Sequence, residues 1–354
     1  MKRISCLLLL LFCSIILFAK PEYAGYPFAG LSNDTGFYSG ILGYIRYRPA
    51  HFDSTIAKNV FYFSTAYSEK KQFNFLFKPA VRFKNGLYEL KTELEYKKWP
   101  SKFYGIGMGT DRDEFEKFTS QERKLFFNFT RNLTDKWDIS LDYEYLDYHL
   151  TKTEENRLLE NGKFVNPNNE MSSGLGFSID FDTRNSESFP SLGGLYSIQF
   201  IEFSHHLGSD HGFSRTRLDL RKFLQISEQH TLAFQSYFST IQGDAPFYQL
   251  NYLNDNMRAI TSNLYIDRNA YIFRMEDRFF HWNSGFEQRF GLVFFAELGE
   301  VIPEISKFNI AQTQFNYGLG FRYSFFLEDR MNARIDIGFG EVKASISIAT
   351  GEVF

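Results

Sequence analysis

Residues 137–145 read "WDISLDYEY". Trp137, Ile139, Leu141, Tyr143 and Tyr145 share one phase, and Asp138, Ser140, Asp142 and Glu144 share the other. Successive side chains of a β-strand point to opposite faces, so this stretch is a strand with one apolar and one polar side. The pattern recurs along the chain. "LYELKTELEY" (87–96) sets Tyr88, Leu90, Leu94 and Tyr96 against Glu89, Lys91, Glu93 and Glu95. "FNYGLGFRYSF" (315–325) sets Phe315, Tyr317, Leu319, Phe321, Tyr323 and Phe325 against Asn316, Gly318, Gly320, Arg322 and Ser324. In "ARIDIGFG" (333–340), Ala333, Ile335, Ile337 and Phe339 alternate with Arg334, Asp336, Gly338 and Gly340.

Which face meets the outside decides the fold. A soluble sandwich turns its polar face to water, and periodicity alone leaves that alternative open. Two features favour lipid outside and a polar lumen within. The alternating runs are long, about ten residues or more, and their apolar faces are dense in large rings. The chain of 354 residues holds 42 Phe and 21 Tyr, and aromatics make up 19% of it. Such rings suit a boundary between oil and water. Helical spans are excluded: mean hydropathy is −0.31, and each span would need roughly 20 consecutive apolar residues. Past the N-terminus the longest apolar run, "GLVFFAELGEVI" (291–302), is broken by Glu297 and Glu300.

The fold expected is all-β, a transmembrane antiparallel β-barrel of about 16 strands, an even number as single-chain outer-membrane barrels have. The strands fall near 25–33, 35–47, 58–67, 72–83, 86–98, 120–132, 136–149, 170–183, 194–206, 213–226, 229–242, 269–281, 288–300, 314–326, 331–341 and 343–354. Short links such as "KNG", "TDK" and "EDR" alternate with longer polar ones, the turn-and-loop asymmetry of such barrels.

The N-terminus differs from the rest. "MKRISCLLLLLFCSIILFAK" has a basic head (Lys2, Arg3), an apolar stretch from Leu7 to Phe18, and Ala19 as a cleavage residue. Residues 1–19 therefore read as a secretory signal peptide, leaving 20–354 as one outer-membrane barrel. Lipidation at Cys13 is the alternative, opposed by Phe12 before it and "SIILF" after it. Both cysteines, Cys6 and Cys13, lie in this leader, so the mature chain has no disulfide, thiol nucleophile or cysteine metal site. Without Lys2 and Arg3 the 39 basic residues fall to 37, against 42 acidic ones. No basic tract stands out, so nucleic acid is not an expected partner. The location expected is the outer membrane of a Gram-negative-type bacterium.

Between two clear strands runs "NDNMRAITSNLYIDRN" (254–269), part of a polar link over 243–268. A link of roughly 26 residues without secondary structure is uncommon in a compact protein and is usually functional or disordered. A wide barrel offers it a polar interior, with Arg258 as an anchor. The alternative is a flexible surface loop with its arginine in water.

The last third carries a resemblance. "DFDTRNSESFPSLGGLY" (180–196), then "MRAI" (257–260), "FRMEDRF" (273–279), "FFAELGE" (294–300), "YGLGFRY" (317–323), "ARIDIGFG" and a terminal "GEVF" follow in order. Together they resemble the barrel of the bacterial surface antigen family, to which the BamA and TamA outer-membrane assembly proteins belong. The likeness extends upstream to "SNDTGFYSGILGY" (32–44) and "FYGIGMGT" (103–110). In that family a loop with an Arg-Gly-aromatic motif folds into the lumen, and its arginine pairs with acidic wall residues. The resemblance places Met257, Arg258, Ala259 and Ile260 at the motif, with Ala259 for the glycine and Ile260 for the aromatic. It implies Glu276 and Glu297 as acidic partners, and alternation independently sets both on the inner face, Glu276 beside Arg274 and Arg278. Phe354 resembles the terminal aromatic signal read by the outer-membrane insertion machinery; its alternative is a ring at the lipid interface. Family members carry periplasmic POTRA domains before the barrel. Only "KPEYAGYPFAG" (20–30) separates the leader from the first strand here, so a periplasmic partner is expected to supply them.

Other chemistry weighs less. "SHHLGSDHG" (204–212) gathers His205, His206, Asp210 and His211, types that bind Zn or Cu. Adjacent histidines at a strand end would face opposite ways, so a polar loop and no metal is the expectation. "YGIGMGTD" (104–111) is rich in glycine but lacks the following helix of a phosphate loop, and "DRDEFEKF" after it is acidic. Glycines at a curved barrel wall fit better. His149 and His230 have serines within reach on neighbouring strands, but no spacing singles out a hydrolase pair, so no enzyme and no cofactor is expected. The function expected is outer-membrane protein assembly or translocation with a partner's help, in contact with outer-membrane lipid. A passive channel or structural surface antigen is the alternative.

Overall fold

The computed structural model describes residues 21–32, 36–54, 56–154, 159, 169–280, 286–327, 330–341 and 344–354. The expected signal peptide lies outside the described residues. Sixteen strands form one antiparallel sheet, each paired with the neighbour next in the chain. They are β1 (Glu22–Ser32), β2 (Gly36–Tyr47), β3 (Asn59–Ser68), β4 (Phe73–Phe83), β5 (Tyr88–Phe103), β6 (Glu116–Asn132), β7 (Trp137–Lys152) and β8 (Glu170–Asp182). β9 (Gly193–Phe203), β10 (Phe213–Ser227) and β11 (His230–Gly243) continue the sheet. Two short strands, β12 (Asn251–Tyr252) and β13 (Ile266–Asp267), pair with each other inside the link after β11. The sheet resumes with β14 (Asn269–Phe280), β15 (Phe290–Ile302), β16 (Gln314–Phe326), β17 (Met331–Phe339) and β18 (Ser345–Thr350).

Burial is inverted relative to a water-soluble sheet. Leu141, Phe294, Phe315, Tyr317 and Ile348 are exposed, whereas Asp142, Glu276, Arg278, Glu297 and Arg322 are buried. Each strand keeps the phase read from its sequence, so the polar sides line up on the covered face and the rings on the outer one. Closely cross-linked backbones with rings outward resist unfolding in detergent. Circular dichroism is expected to be β-dominated, and unheated protein to migrate faster in detergent gels than boiled protein; a helix-rich spectrum would overturn the fold.

Side chains of β1 and β2 contact side chains of β16 and β18. β1 and β18 share no ladder among the described residues. Side chains meet instead: the Tyr26 ring stacks on Phe325 at 4.3 Å, and the Tyr44 hydroxyl donates to Thr350 Oγ1 at 2.6 Å. The Arg46 guanidinium sits 4.4 Å over the Phe326 ring.

Three expectations are corrected. β5 runs on to Phe103 and β6 begins at Glu116, with Pro100 paired opposite Thr119 inside the ladder. The missing N–H of Pro100 argues for a strand end, but this pairing extends past it. The final strand does not run from 343 to Phe354: β18 stops at Thr350, and Gly351, at a φ of +76°, turns the last residues inward. The Phe354 ring consequently packs with Phe223 and Ala233. The link over 243–268 is not without structure, holding 3₁₀ turns at Phe247–Gln249 and Leu253–Asp255 besides the β12–β13 pair.

Candidate functional site

Segment 244–268 crosses the covered side of the sheet. On one side Phe247, Leu250 and Ile266 pack with Phe103, Phe118, Tyr148 and Leu150 of β5, β6 and β7. On the other, Leu253 and Met257 pack with Ala270, Ile272 and Val301 of β14 and β15. Those strand groups are far apart in the sheet order, so only a crossing segment reaches both. The 104–111 link helps hold it: Gly107 N donates to the Ile266 carbonyl at 2.8 Å, and Thr110 Oγ1 to that of Leu264 at 2.6 Å. The glycines of "YGIGMGTD" therefore lie between strands rather than in the wall, though at a close backbone approach.

Arg258 is the centre of the site. Its Nε donates to Glu297 Oε1 at 2.7 Å, and its backbone N–H to Glu297 Oε2 at 2.7 Å. Its Nη1 lies 3.0 Å from Glu276 Oε1 and 3.4 Å from Asp336 Oδ2. The guanidinium carbon sits 3.4 Å over the Phe295 ring, and Asn316 Nδ2 donates to the Arg258 carbonyl. The Glu276 and Glu297 side chains are 0% exposed and that of Arg258 is 8% exposed. Burial opposes the Arg258 charge, but Glu276, Glu297 and Asp336 more than offset it and hold the guanidinium above its ordinary pKa. A planar fork spread over three carboxylates and a ring is a task for arginine that lysine cannot copy.

β-Pairing sets these partners in place. Arg274 lies opposite Glu297 and Glu276 opposite Phe295 across β14 and β15, and Glu297 lies opposite Asn316 across β15 and β16. Arg274 Nη1 also holds the segment, donating to the Asn256 carbonyl at 2.9 Å. Gly299 leaves room for the loop: a Cβ there would stand 2.5 Å from Met257 Sδ. Ala259 takes a φ of +56° in the left-handed region, at the position where the resembled motif has glycine. Ile260 packs at the edge of the Leu253–Met257 cluster, and the Thr261 N–H donates to Glu341 Oε2 at 2.8 Å.

Met257, Arg258, Ala259, Ile260, Glu276 and Glu297 are thus brought together. Phe354 is not among them. Sequence reading missed Phe295, Asn316, Asp336 and Glu341. Asn316 and Asp336 stand on polar phases already evident in "FNYGLGFRYSF" and "ARIDIGFG", and Phe295 is a ring on the same phase as Glu297. For Phe295 the signal was a ring out of keeping with its polar face.

A second assembly lies where residues 183–192 join β8 to β9. Arg82 of β4 donates from Nη2 to both Glu187 oxygens, at 3.0 and 2.9 Å. Phe189 meets Phe280 of β14 edge-on at 4.5 Å. The inturned tail joins it: Arg278 Nη2 donates to the Phe354 carbonyl at 3.0 Å and Arg322 Nε to Glu352 Oε2 at 2.8 Å. The link therefore reaches β4 on one side and β14 on the other.

His205, His211 and His230 find ordinary partners. His205 and His206 stand in a 3₁₀ turn rather than on a strand end. His205 Nδ1 contacts the Ser209 carbonyl, while His211 lies 3.3 Å from both Glu170 and Asp244. His230 bonds Asp277 and stacks on Phe279. Among the described residues no three His, Cys, Asp or Glu side chains converge as metal ligands.

Known proteins with this architecture are similar in fold but distant in sequence. BamA from Haemophilus ducreyi, in a structure lacking POTRA domains 1–3, superposes with a TM-score of 0.59 at 10% identity, over 94% of this chain and 69% of that one. CdiB from Escherichia coli gives 0.60 at 9% identity, over 94% and 62%. CdiB from Acinetobacter baumannii gives 0.53 at 10%, over 94% and 58%. This chain therefore spans roughly three fifths to two thirds of their lengths. No curated protein matches it in sequence. The family model for the Omp85 superfamily domain matches residues 59–325, which takes in most of the sheet together with Arg258, Glu276 and Glu297, and the chain belongs to the Omp85 superfamily.

Proposed function

We propose that the sheet closes into a barrel whose lumen holds segment 244–268 on Arg258, and that this barrel assembles or translocates other proteins with a periplasmic partner's help. Membership of the superfamily makes the protein a non-enzymatic outer-membrane barrel protein of a Gram-negative-type bacterium. One observation carries the finer reading: Arg258 is held by Glu297, Glu276 and Asp336 over the Phe295 ring. Such a buried cluster orders a long segment across the inner face, where a simple pore would keep open space. The contacts of Tyr26 and Tyr44 with Phe325 and Thr350 support closure. Depletion of the protein, followed by quantification of outer-membrane proteins, tests the assignment. A broad loss of other barrels is expected; unchanged levels would overturn an assembly role.

A passive channel is the second reading, and one observation favours it. A polar cavity of about 440 Å³ remains beside the segment, lined by Glu93, Lys97, Glu122, Lys124 and Arg217 among others. At one end of the strands, however, the 183–192 link and the C-terminal tail meet residues from opposite sides of the sheet. If they obstruct the lumen, the unmodified protein conducts little in planar bilayers. Arg82→Ala, which removes the grip on Glu187, is expected to raise the conductance several-fold. Large steady conductance before mutation would favour the channel.

A further inference from the structure

The link from β15 to β16, residues 303–313, folds back over the outer face of the sheet. Tyr271 lies on the outward phase of β14 with Phe273 and Met275, and Glu300 on that of β15 with Phe294 and Leu298. The two are paired directly across the ladder. An outward carboxylate at the rim of an apolar band is costly unless covered. Glu300 is covered: it is 0% exposed, and its Oε2 accepts from the Tyr271 hydroxyl at 2.7 Å and from Thr313 Oγ1 at 3.2 Å. Phe308 lies edge-on to Tyr271 with ring centroids 4.9 Å apart.

The link exposes three large apolar side chains among polar ones, Glu304, Ser306, Lys307, Asn309 and Gln312 being exposed as well. Ile305, Phe308 and Ile310 are 62%, 52% and 78% exposed. Some of its amides find partners within the link. Lys307 N donates to the Glu304 carbonyl at 2.9 Å and Gln312 N to that of Asn309 at 2.8 Å. Ala311 N is taken by Asn309 Oδ1 at 3.1 Å. Through Phe308, which meets Tyr271 edge-on, the three side chains adjoin the outward phase that carries Phe273 and Met275.

We propose that residues 303–313 form a lipid-facing skirt, with Ile305, Phe308 and Ile310 seated in the acyl-chain boundary of the membrane leaflet at that end of the strands. Its occupant is lipid, because the three side chains adjoin a lipid-facing band and the link covers Glu300, a buried carboxylate at its rim. Two shallow 3₁₀ turns hold the three side chains out as an interfacial anchor. The skirt widens the apolar girdle beside the last strands, over β14, β15 and β16.

Site-directed nitroxide labelling tests this in the full chain, in a Cys6→Ser, Cys13→Ser background reconstituted in phospholipid vesicles. Ile310→Cys and Ile305→Cys carry the probe, Phe294→Cys gives the lipid reference and His206→Cys the aqueous one. Collision rates with oxygen, which partitions into lipid, are compared with those of a water-soluble nickel chelate. Both test positions are expected to resemble Phe294, with the oxygen-to-nickel ratio at least about tenfold above that of His206. A ratio like that of His206 would place the skirt in water and overturn the proposal. Suppression of both rates would mean that protein covers the patch, a second copy or another partner, and would overturn it equally. Gel migration of unheated samples checks that each variant is folded.

Discussion

Arg258→Ala is expected to release segment 244–268 to protease while the strands remain folded and heat-modifiable. Removing one member of a desolvated ion pair costs about 3–5 kcal/mol, against under about 1 for a solvated one. A water-filled lumen would put the cost between those ranges, but the near-complete burial of Arg258, Glu276 and Glu297 moves it to the upper one. Since about 1.4 kcal/mol is a factor of ten, the fraction of molecules with the segment open rises by at least about a hundredfold. The sheet survives because the ladders of β14, β15 and β16 do not depend on the loop.

The partners sharpen the test. Glu297→Ala removes the acceptor of both Arg258 Nε and the Arg258 backbone N–H, but leaves Glu276 and Asp336 within reach. Its effect should be smaller than that of Arg258→Ala and in the same direction. The double variant should be little worse than Arg258→Ala alone, as partners in one network require. Arg258→Lys keeps the charge but not the fork, and should fall between wild type and alanine. Additive losses in the double variant would mean that the two side chains do not act together. Free cleavage of the segment in unmodified protein would remove the anchor altogether.

Much of this site was legible because a sheet has a period of two and a lipid-facing sheet reverses the usual sense of inside and outside. The alternation in "FRMEDRF" puts Arg274, Glu276 and Arg278 on one face, and all three are buried. The strand order was legible for the same reason: neighbours in sequence pair antiparallel, and each run supplies its own register. Contacts between strands distant in sequence were not. Nothing in "ARIDIGFG" says that Asp336 reaches a loop residue 78 positions away. Likewise, Glu300 reads as an interruption of an apolar run, and only the fold-back of the next link shows how its charge is covered.

The chain terminus shows where a local pattern misleads. "SISIATGEVF" alternates so regularly that a strand to the last residue is the natural reading, with Phe354 at the lipid boundary. Gly351 breaks that run: its positive φ is open to glycine, and the three residues after it turn to the covered side. Glu352 then pairs with Arg322 and accepts from Asn332 Nδ2 at 2.6 Å. Two buried arginines thus draw the tail inward, Arg322 through Glu352 and Arg278 through the Phe354 carbonyl. A pattern of residue types records faces, not the charge balance that decides which way a free end turns.

That burial changes what deletion of the Phe354 side chain should do. A ring at the lipid interface would contribute only a fraction of its full burial, roughly 2–3 kcal/mol. The ring is instead 5% exposed, beside Phe223 and Ala233, with the Arg278 and Arg274 guanidinium groups 5.2 and 5.4 Å from its centre. Phe354→Ala is therefore expected to cost about 3–5 kcal/mol in protein refolded in detergent, read as a lower denaturant midpoint. A role as insertion signal, which the resemblance implies, is separate, because such a signal would be read before the sheet has folded around it. Phe354→Leu divides the two. It keeps most of the apolar volume, so refolded stability should fall by only about 1.5 kcal/mol or less. Insertion in cells should nevertheless drop nearly as far as for alanine if an aromatic end is what is recognised. Parallel behaviour of insertion and stability across Leu and Ala would leave Phe354 as a packing residue alone.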